Sequence, residues 1–285
     1  MLSDSEYVIN VEIPEKMKLK NILKELKELP EKYDLKKTSG LVSDLLDDKR
    51  IQAMHNAANV MIVNYLKYND HGRSHAIISA RNALKIYLYT YEKIKPNVVL
   101  NRGYSLDDGA FIVLMAAFLH DVGNMIHRDF HYFNSVLLSK DLIWEYIEKY
   151  YGRDSLDMKW SIFSHIANAI ASHDEAVQAF TLEASSVKVG EGCDMTAGRS
   201  RKPYSIGKVD IHSVSALSIT EVDILKGDDK PLLIKVNMSN PAGVFQVEEV
   251  LLMKLNSSIL KDHTKIEVTV RGRPIRLSTL KQSIE

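Results

Sequence analysis

The residues best suited to chemistry are a histidine and an aspartate that follow each other directly. His120 and Asp121 close the ten-residue apolar run 110–119 (AFIVLMAAFL). A carboxylate buried at the end of such a run is costly unless it pairs with a charge or a metal ion. Since both side chains are metal ligands, the pair predicts a metal site.

More side chains of the same ligand types occur on either side of this pair. They are His75 upstream and His127, His131, His165, His173 and Asp194 downstream. Imidazole and carboxylate ligands favour Mn, Fe, Co, Ni, Zn or Mg over soft, thiophilic metals. A single cysteine, Cys193, excludes an internal disulfide and a zinc site built from several cysteines.

Helices must position these ligands, because apolar residues recur at helical spacing up to about residue 185. Helices are expected at about 17–28, 40–67, 74–94, 107–122, 130–150, 157–173 and 174–183. Ser105 marks the start of the fourth. His75 then lies in the first turn of the third helix, and His120 and Asp121 end the fourth. Ligands from separate helices can meet in the core of a bundle.

The amino-acid composition of the chain changes after about residue 207. Residues 216–226, 231–238 and 265–270 are rich in β-branched side chains and predict strands. Gly227 begins a hairpin signal (GDD), and 244–260 predicts an amphipathic helix. The predicted fold is mainly α, with a helical bundle followed by a small α+β domain (β-β-α-β). Its expected parts are an N-terminal helical extension (1–45), a metal-binding helical domain (46–207) and the α+β domain (208–285).

The order of the ligands resembles a known signature. His75, His120-Asp121 and Asp194 match the H…HD…D pattern of the HD-domain superfamily of metal-dependent phosphohydrolases. NDHGRSHAIISARNAL around His75 and LMAAFLHDVGN around His120 are similar to its first helix and its LLHDIGK segment. CDMTAGRSR at Asp194 is similar to the ending of archaeal-like HD proteins with an extra C-terminal domain. The resemblance covers about residues 50–205 and implies an HD-domain bundle.

The resemblance also implies a ligand set. His131 and His173 lie where several HD subfamilies place further histidines. The implied metal ligands are His75, His120, Asp121, His131, His173 and Asp194. In other HD proteins this pattern goes with two metals, so one or two divalent ions are expected, with Asp121 as the bridge. The GYP triplet and the HH pair of HD-GYP proteins are absent, which disfavours a cyclic-dinucleotide phosphodiesterase.

The implied activity is hydrolysis of a phosphoester or nucleotide by a metal-activated water. Asp121 would position that water, and His127 or His173 would protonate the leaving oxygen. Arginine forks grip phosphate oxygens in pairs. The expected substrate-binding residues are Arg199, Arg201, Lys202, Arg73 and His165, with Arg128 as a weaker candidate. The alternative for the segment after Asp194 is a solvated basic loop.

Two other functions stay open. The ligand order is also similar to that of HD-type diiron oxygenases, which iron content and oxygen uptake would separate from hydrolases. A metal-binding regulatory protein with an effector-binding C-terminal domain is the third interpretation. Net charge is zero, which disfavours extended nucleic acid and membrane partners. A cytoplasmic homodimer with a small phosphorylated or nucleotide substrate is expected, and the identity of that substrate stays open.

Overall fold

Helices make up most of the structure, as the sequence predicts. The computed structural model describes residues 19–66, 68–196, 211–275 and 277. The helices of the first part are α1 (Leu19–Lys32), α2 (Lys36–Asp47), α3 (Lys49–Asn59), α4 (Arg73–Thr90), α5 (Val98–Arg102), α6 (Leu106–Leu119), α7 (His131–Tyr151), α8 (Leu156–Ala171) and α9 (Leu182–Gly192). A π-helical stretch, Val60–Tyr65, continues α3, and a 3-10 turn, Val122–Met125, lies between α6 and α7.

Helix α6 lies at the centre of the bundle. The Ser105 hydroxyl accepts a hydrogen bond from the Asp108 amide at 3.2 Å, and the Asp108 carboxylate accepts one from the Ser105 amide at 2.8 Å. This capping box begins the helix where the sequence predicts it. Residues 109–119 are all buried, and α6 packs against α2, α4, α8 and α9. Because a helix that is apolar on every side must be enclosed, its C-terminus also lies inside the bundle.

Helices α4 and α9 approach each other unusually closely. A Cβ added to Gly190 would lie 2.5 Å from the backbone nitrogen of Ala83. The Asn82 side chain donates to the Gly190 carbonyl at 3.0 Å. The lack of a side chain at position 190 therefore lets the end of α9 lie against α4.

Two of the predicted helices differ from the structure. The helix expected over 40–67 is wrong, because Asp48 adopts an extended backbone and starts α3 by accepting from the amides of Arg50 and Ile51. The helix expected over 174–183 is also wrong, since α9 begins only at Leu182. The preceding segment forms turns, and at Ala179 the backbone amide donates to the Ser257 carbonyl of the C-terminal part at 2.9 Å and not to a helical partner.

The C-terminal part contains helix α10 (Ile211–Ser218) and a four-stranded sheet. The strands are β1 (Ile219–Lys226), β2 (Leu232–Met238), β3 (Thr264–Val270) and β4 (Arg273–Ile275), in that order across the sheet. Between β2 and β3 runs α11, formed by Val244–Gln246 and Met253–Asn256 with a π-helical stretch Val247–Leu252 between them.

The predicted β-β-α-β order is present, and β4 extends it. The hairpin between β1 and β2 is antiparallel, whereas the helical connection makes β2 and β3 parallel. The sequence predicts that residues 216–218 begin the first strand, but in the structure they end α10. A mainly helical protein with a small α+β part at its C-terminus is therefore confirmed at that level.

The sheet and the helices share one apolar core. Alternate residues of β2 are buried, and β1 and β2 contact α4. Helices α1 and α2, expected as an N-terminal extension, pack against α4 and α6. The expected boundary at residue 207 lies outside the described residues. Within those residues, no helix combines the length and the apolar character needed to cross a bilayer.

Candidate metal centre

Eight buried ionisable side chains gather inside the helical part, each between 0% and 7% exposed. They are His71, His75, His120, Asp121, His131, His173, Glu191 and Asp194. The structure therefore brings together all six of the residues that the sequence analysis names as metal ligands.

Each of these residues lies at a helix end or just beyond one. His75 lies in the first turn of α4, Asp121 follows α6, and His131 is the first residue of α7. His173 follows α8, and Glu191 lies in the last turn of α9. The cluster thus forms where the ends of five helices converge.

Four of the histidines have their ring orientation set in a common way. The Nδ1 atoms of His120, His131 and His173 each bond the backbone carbonyl three residues earlier, at 2.8, 2.9 and 2.6 Å. A carbonyl oxygen only accepts, so Nδ1 carries the hydrogen and Nε2 keeps its lone pair. For His75 the partner of Nδ1 is Asp194 Oδ2 at 2.7 Å, an outer carboxylate contact common for metal-binding histidines.

Asp121 lies between two pairs of these imidazoles. Its Oδ2 is 3.4 Å from the Nε2 atoms of both His75 and His120. Its Oδ1 is 3.5 Å from His131 Nε2 and 3.7 Å from His173 Nε2. Atoms that bind one metal ion at about 2.0–2.2 Å lie roughly 3.0–3.6 Å from each other. The spacing is therefore compatible with metal binding on both sides of the carboxylate.

The ring nitrogens within each pair face each other. The Nε2 atoms of His75 and His120 are 3.2 Å apart, and those of His131 and His173 are 3.0 Å apart. Burial lowers the pKa of His131, and it lowers the pKa of His173 well below the ordinary value. Ring nitrogens whose lone pairs converge at these distances need a shared proton or a cation between them. This donor set fits a divalent metal ion.

The carboxylates have the complementary charge. Burial by itself would raise the pKa of Asp121, but the adjacent imidazoles of His120 and His71 hold it well below the ordinary value. Burial would likewise raise the pKa of Glu191, but the adjacent Lys254 ammonium outweighs burial and lowers it. Ionised carboxylates and neutral imidazoles are the forms that bind metals.

Sequence reasoning missed three residues of this centre. His71, which the sequence analysis does not name among the ligands, is buried with Nδ1 2.6 Å from Asp121 Oδ2. Glu191 Oε1 lies 4.0 Å from His75 Nε2, and Asn124 donates to Asp121 Oδ1 at 2.9 Å. The spacing of four between His71 and His75 was the available signal for the first.

Three of the other predicted site residues lie apart from the cluster. The His127 side chain is 64% exposed, and its ring accepts from the Asp129 amide. Arg73 donates to a carbonyl of α2 at 2.8 Å, because it points about 200° around α4 from His75. His165 lies on α8, half-buried, with its ring bonded to the Ser161 carbonyl.

The basic residues expected to bind substrate after Asp194 lie outside the described residues. They are Arg199, Arg201 and Lys202. Their predicted role in substrate binding stays a prediction.

Comparison with known proteins gives one informative relative. No family model and no solved structure matches the chain. The uncharacterized protein MJ1020 of the archaeon Methanocaldococcus jannaschii is 39% identical over 237 residues, which span 82% of this chain and 90% of that protein. Because the two sequences agree at this level over most of both lengths, the chain belongs to the same family as MJ1020.

Proposed function

We propose that this protein is a metal-dependent phosphohydrolase of the HD type that acts on a phosphoester or nucleotide. The observation that carries the proposal is the position of Asp121 between two imidazole pairs, with one oxygen directed to each. Its support in the sequence is the resemblance of the H…HD…D order to that superfamily.

The cluster offers ligands for two cations. His75, His120 and Glu191 would hold one with Asp121 Oδ2, and the second imidazole pair would hold the other with Asp121 Oδ1. Divalent ions bound there would lower the pKa of a coordinated water toward about 7 and stabilise both the attacking and the leaving oxygen of a phosphoryl displacement. Asn124 would hold the Asp121 carboxylate in place through its bond to Oδ1.

In this proposal His173 is a metal ligand, and it is not the proton donor that the sequence analysis considered. Its Nδ1 bonds the Ile170 carbonyl at 2.6 Å, and its Nε2 faces His131 Nε2 at 3.0 Å. With both nitrogens engaged, the ring has no free site from which to protonate a leaving oxygen.

The test is hydrolysis by the full chain. A panel of nucleotides and simple phosphoesters would be incubated with Mn²⁺, Ni²⁺, Co²⁺ or Mg²⁺, comparing wild type, Asp121→Asn and Asp141→Asn. Asp141 is a matched control because it is exposed and lies ten residues beyond His131 on α7. We expect phosphate or nucleoside release by wild type and by D141N, and loss of both bound metal and turnover in D121N.

Two results would contradict the proposal. Turnover by D121N at the wild-type rate would exclude the cluster from the reaction. Absence of any hydrolysis by the metal-loaded wild type would favour the diiron oxygenase alternative, since four imidazoles also suit iron. Iron content and oxygen uptake would then be measured.

A further inference from the structure

An arginine reaches the edge of the metal centre from the turn that precedes α7. Arg128 Nη1 lies 3.1 Å from His131 Nε2 and 3.5 Å from Asn124 Oδ1. The side chain is half-buried. Its guanidinium therefore faces the nitrogen that His131 presents to the cluster.

This cation has no acidic partner among the described residues. Arg50, by contrast, pairs with Asp48 and Glu145, and Arg81 pairs with Glu25. Arg128 instead contacts a neutral ring nitrogen and an amide oxygen. A guanidinium without a carboxylate beside a cluster suited to divalent cations is electrostatically unfavourable, and an anion lying between the positive charges would remove the repulsion.

An aromatic ridge begins at the end of this turn and continues into the first turn of α7; it consists of Phe130, Tyr132 and Phe133. The Tyr132 ring lies 5.6 Å from the ring of His131, 4.7 Å from that of Phe133 and 6.4 Å from that of Phe130. Phe130 and Phe133 are 65% and 50% exposed. The ridge therefore starts at a ligand of the metal centre and leads outward to solvent.

Phe130 also has a strained backbone, with φ at 59° in the left-handed region. Bulky residues seldom adopt this conformation, and such outliers cluster at ligand-binding sites. The strained residue directly precedes His131. The turn thus presents an exposed ring beside the centre while it orients Arg128 toward it.

We propose that Arg128 and the aromatic ridge form the substrate-binding face of this centre. Arg128 binds a phosphate oxygen of the substrate through its planar fork, and the ridge stacks against a planar aromatic body carried by that phosphate. The substrate class is accordingly an aromatic phosphoester of the nucleotide kind, and not a sugar or alkyl phosphate. The inference rests on the proposed function in one respect, since it places the phosphate at the metal centre.

The proposed contact between Arg128 and phosphate is tested by calorimetric titration of inorganic phosphate into the Mn²⁺-loaded full chain. Arg128→Gln is compared with wild type and with Arg153→Gln, an exposed arginine elsewhere. We expect phosphate affinity to fall at least tenfold in R128Q and to stay within twofold in R153Q, with equal manganese content in all three. Unchanged affinity in R128Q, absence of phosphate binding by wild type, or loss of manganese from R128Q would each overturn the assignment.

The proposed stacking on the aromatic ridge is tested with non-hydrolysable phosphonate analogues of a nucleoside monophosphate and of a ribose phosphate. We expect wild type to prefer the nucleoside analogue at least fivefold, and the double variant Phe130→Leu, Phe133→Leu to lose that preference. Phe180→Leu is the control, because Phe180 is 57% exposed and lies before α9. Equal affinity of wild type for the two analogues would contradict this half.

Failure here is distinguishable from failure of the proposed function. Phosphoester hydrolysis by wild type with unchanged phosphate affinity in R128Q would reject the binding face alone. Arg128-dependent phosphate binding without hydrolysis of any phosphoester would reject the reaction and leave the binding face in place.

Discussion

At the scale of single residues, hydrogen bonds made by the Nδ1 atoms set the direction of the Nε2 atoms that could bind metal. The carbonyls that receive Nδ1 of His120 and His173 belong to the last turns of α6 and α8. Carbonyls in a last helical turn lack intrahelical partners. A histidine just beyond the helix can therefore satisfy such a group and direct its Nε2 back into the bundle.

His71 fixes the orientation of the Asp121 carboxylate through the bond between its Nδ1 and Asp121 Oδ2. We predict that His71→Ala weakens divalent-metal affinity by about 10- to 100-fold, the usual effect of removing a contact that orients a ligand. Competition with a chromophoric chelator would measure it. His127→Ala is the control, since that side chain is exposed, and an equal effect of both variants would show that His71 has no specific role.

At the scale of elements, α11 of the C-terminal part reaches into the centre. Lys254 donates to Glu191 Oε2 at 2.5 Å and to the His173 carbonyl at 2.9 Å. Both it and Glu191 are buried, with side chains 9% and 8% exposed. One lysine therefore fixes a carboxylate on α9 and the turn after α8 at the same time.

Lys254→Met should weaken metal binding by about tenfold or more, because Glu191 loses the group that fixes its orientation. Lys261→Met, on an exposed position of the same part of the chain, should not. Metal affinity and the melting temperature would be measured together. Unchanged metal affinity in a folded K254M protein would refute a role for α11 in the centre.

The close approach of α4 and α9 gives a second prediction for elements. In Gly190→Ala, the new methyl group would meet Ala83 backbone atoms at 2.5 and 2.7 Å. We expect a loss of unfolding free energy of about 1–3 kcal/mol, typical of overpacking, measured by denaturant titration. Gly192→Ala is the matched control because its methyl group would meet side chains only, the nearest atom being Lys254 Cδ at 3.1 Å. Equal costs for both variants would contradict the steric explanation.

At the scale of the whole molecule, a buried acid outside the metal centre makes stability depend on pH. Glu183 on α9 accepts a hydrogen bond from the Val98 amide at 3.0 Å and is fully buried. Burial raises the pKa of its carboxyl to about 7 from an ordinary value of 4.5. The folded state therefore holds this proton more tightly than the unfolded chain does.

The direction of the pH effect on stability follows from that difference in pKa. The contribution of Glu183 to stability is complete below about pH 4.5 and declines as the pH rises to about 7. We predict that Glu183→Gln is more stable than wild type above pH 7, by roughly 3 kcal/mol at most, and that the difference vanishes near pH 4. Chemical denaturation across this range would measure it, with the exposed Glu31→Gln as control. A difference that is independent of pH would contradict the assignment.

Local patterns predicted the parts of the fold that local physics controls. The capping box at Ser105, the apolar run of α6 and the hairpin after β1 depend on neighbours in sequence, and each lies where expected. The segment 174–183 was mispredicted because its backbone pairs with residue 257, a contact that no periodicity encodes. Glu191 likewise joins the cluster through a contact between helices, which no short pattern encodes.

The sequence by itself determined the ligand types, their order along the chain and the mainly helical class, since these follow from residue chemistry and periodicity. Only the tertiary structure decided which of the candidates meet. Asp121 comes to lie between two imidazole pairs, Lys254 reaches Glu191, and Arg128 turns toward the centre while His127 faces solvent. These outcomes depend on where helix ends converge, which is a property of the packed core and not of any short segment.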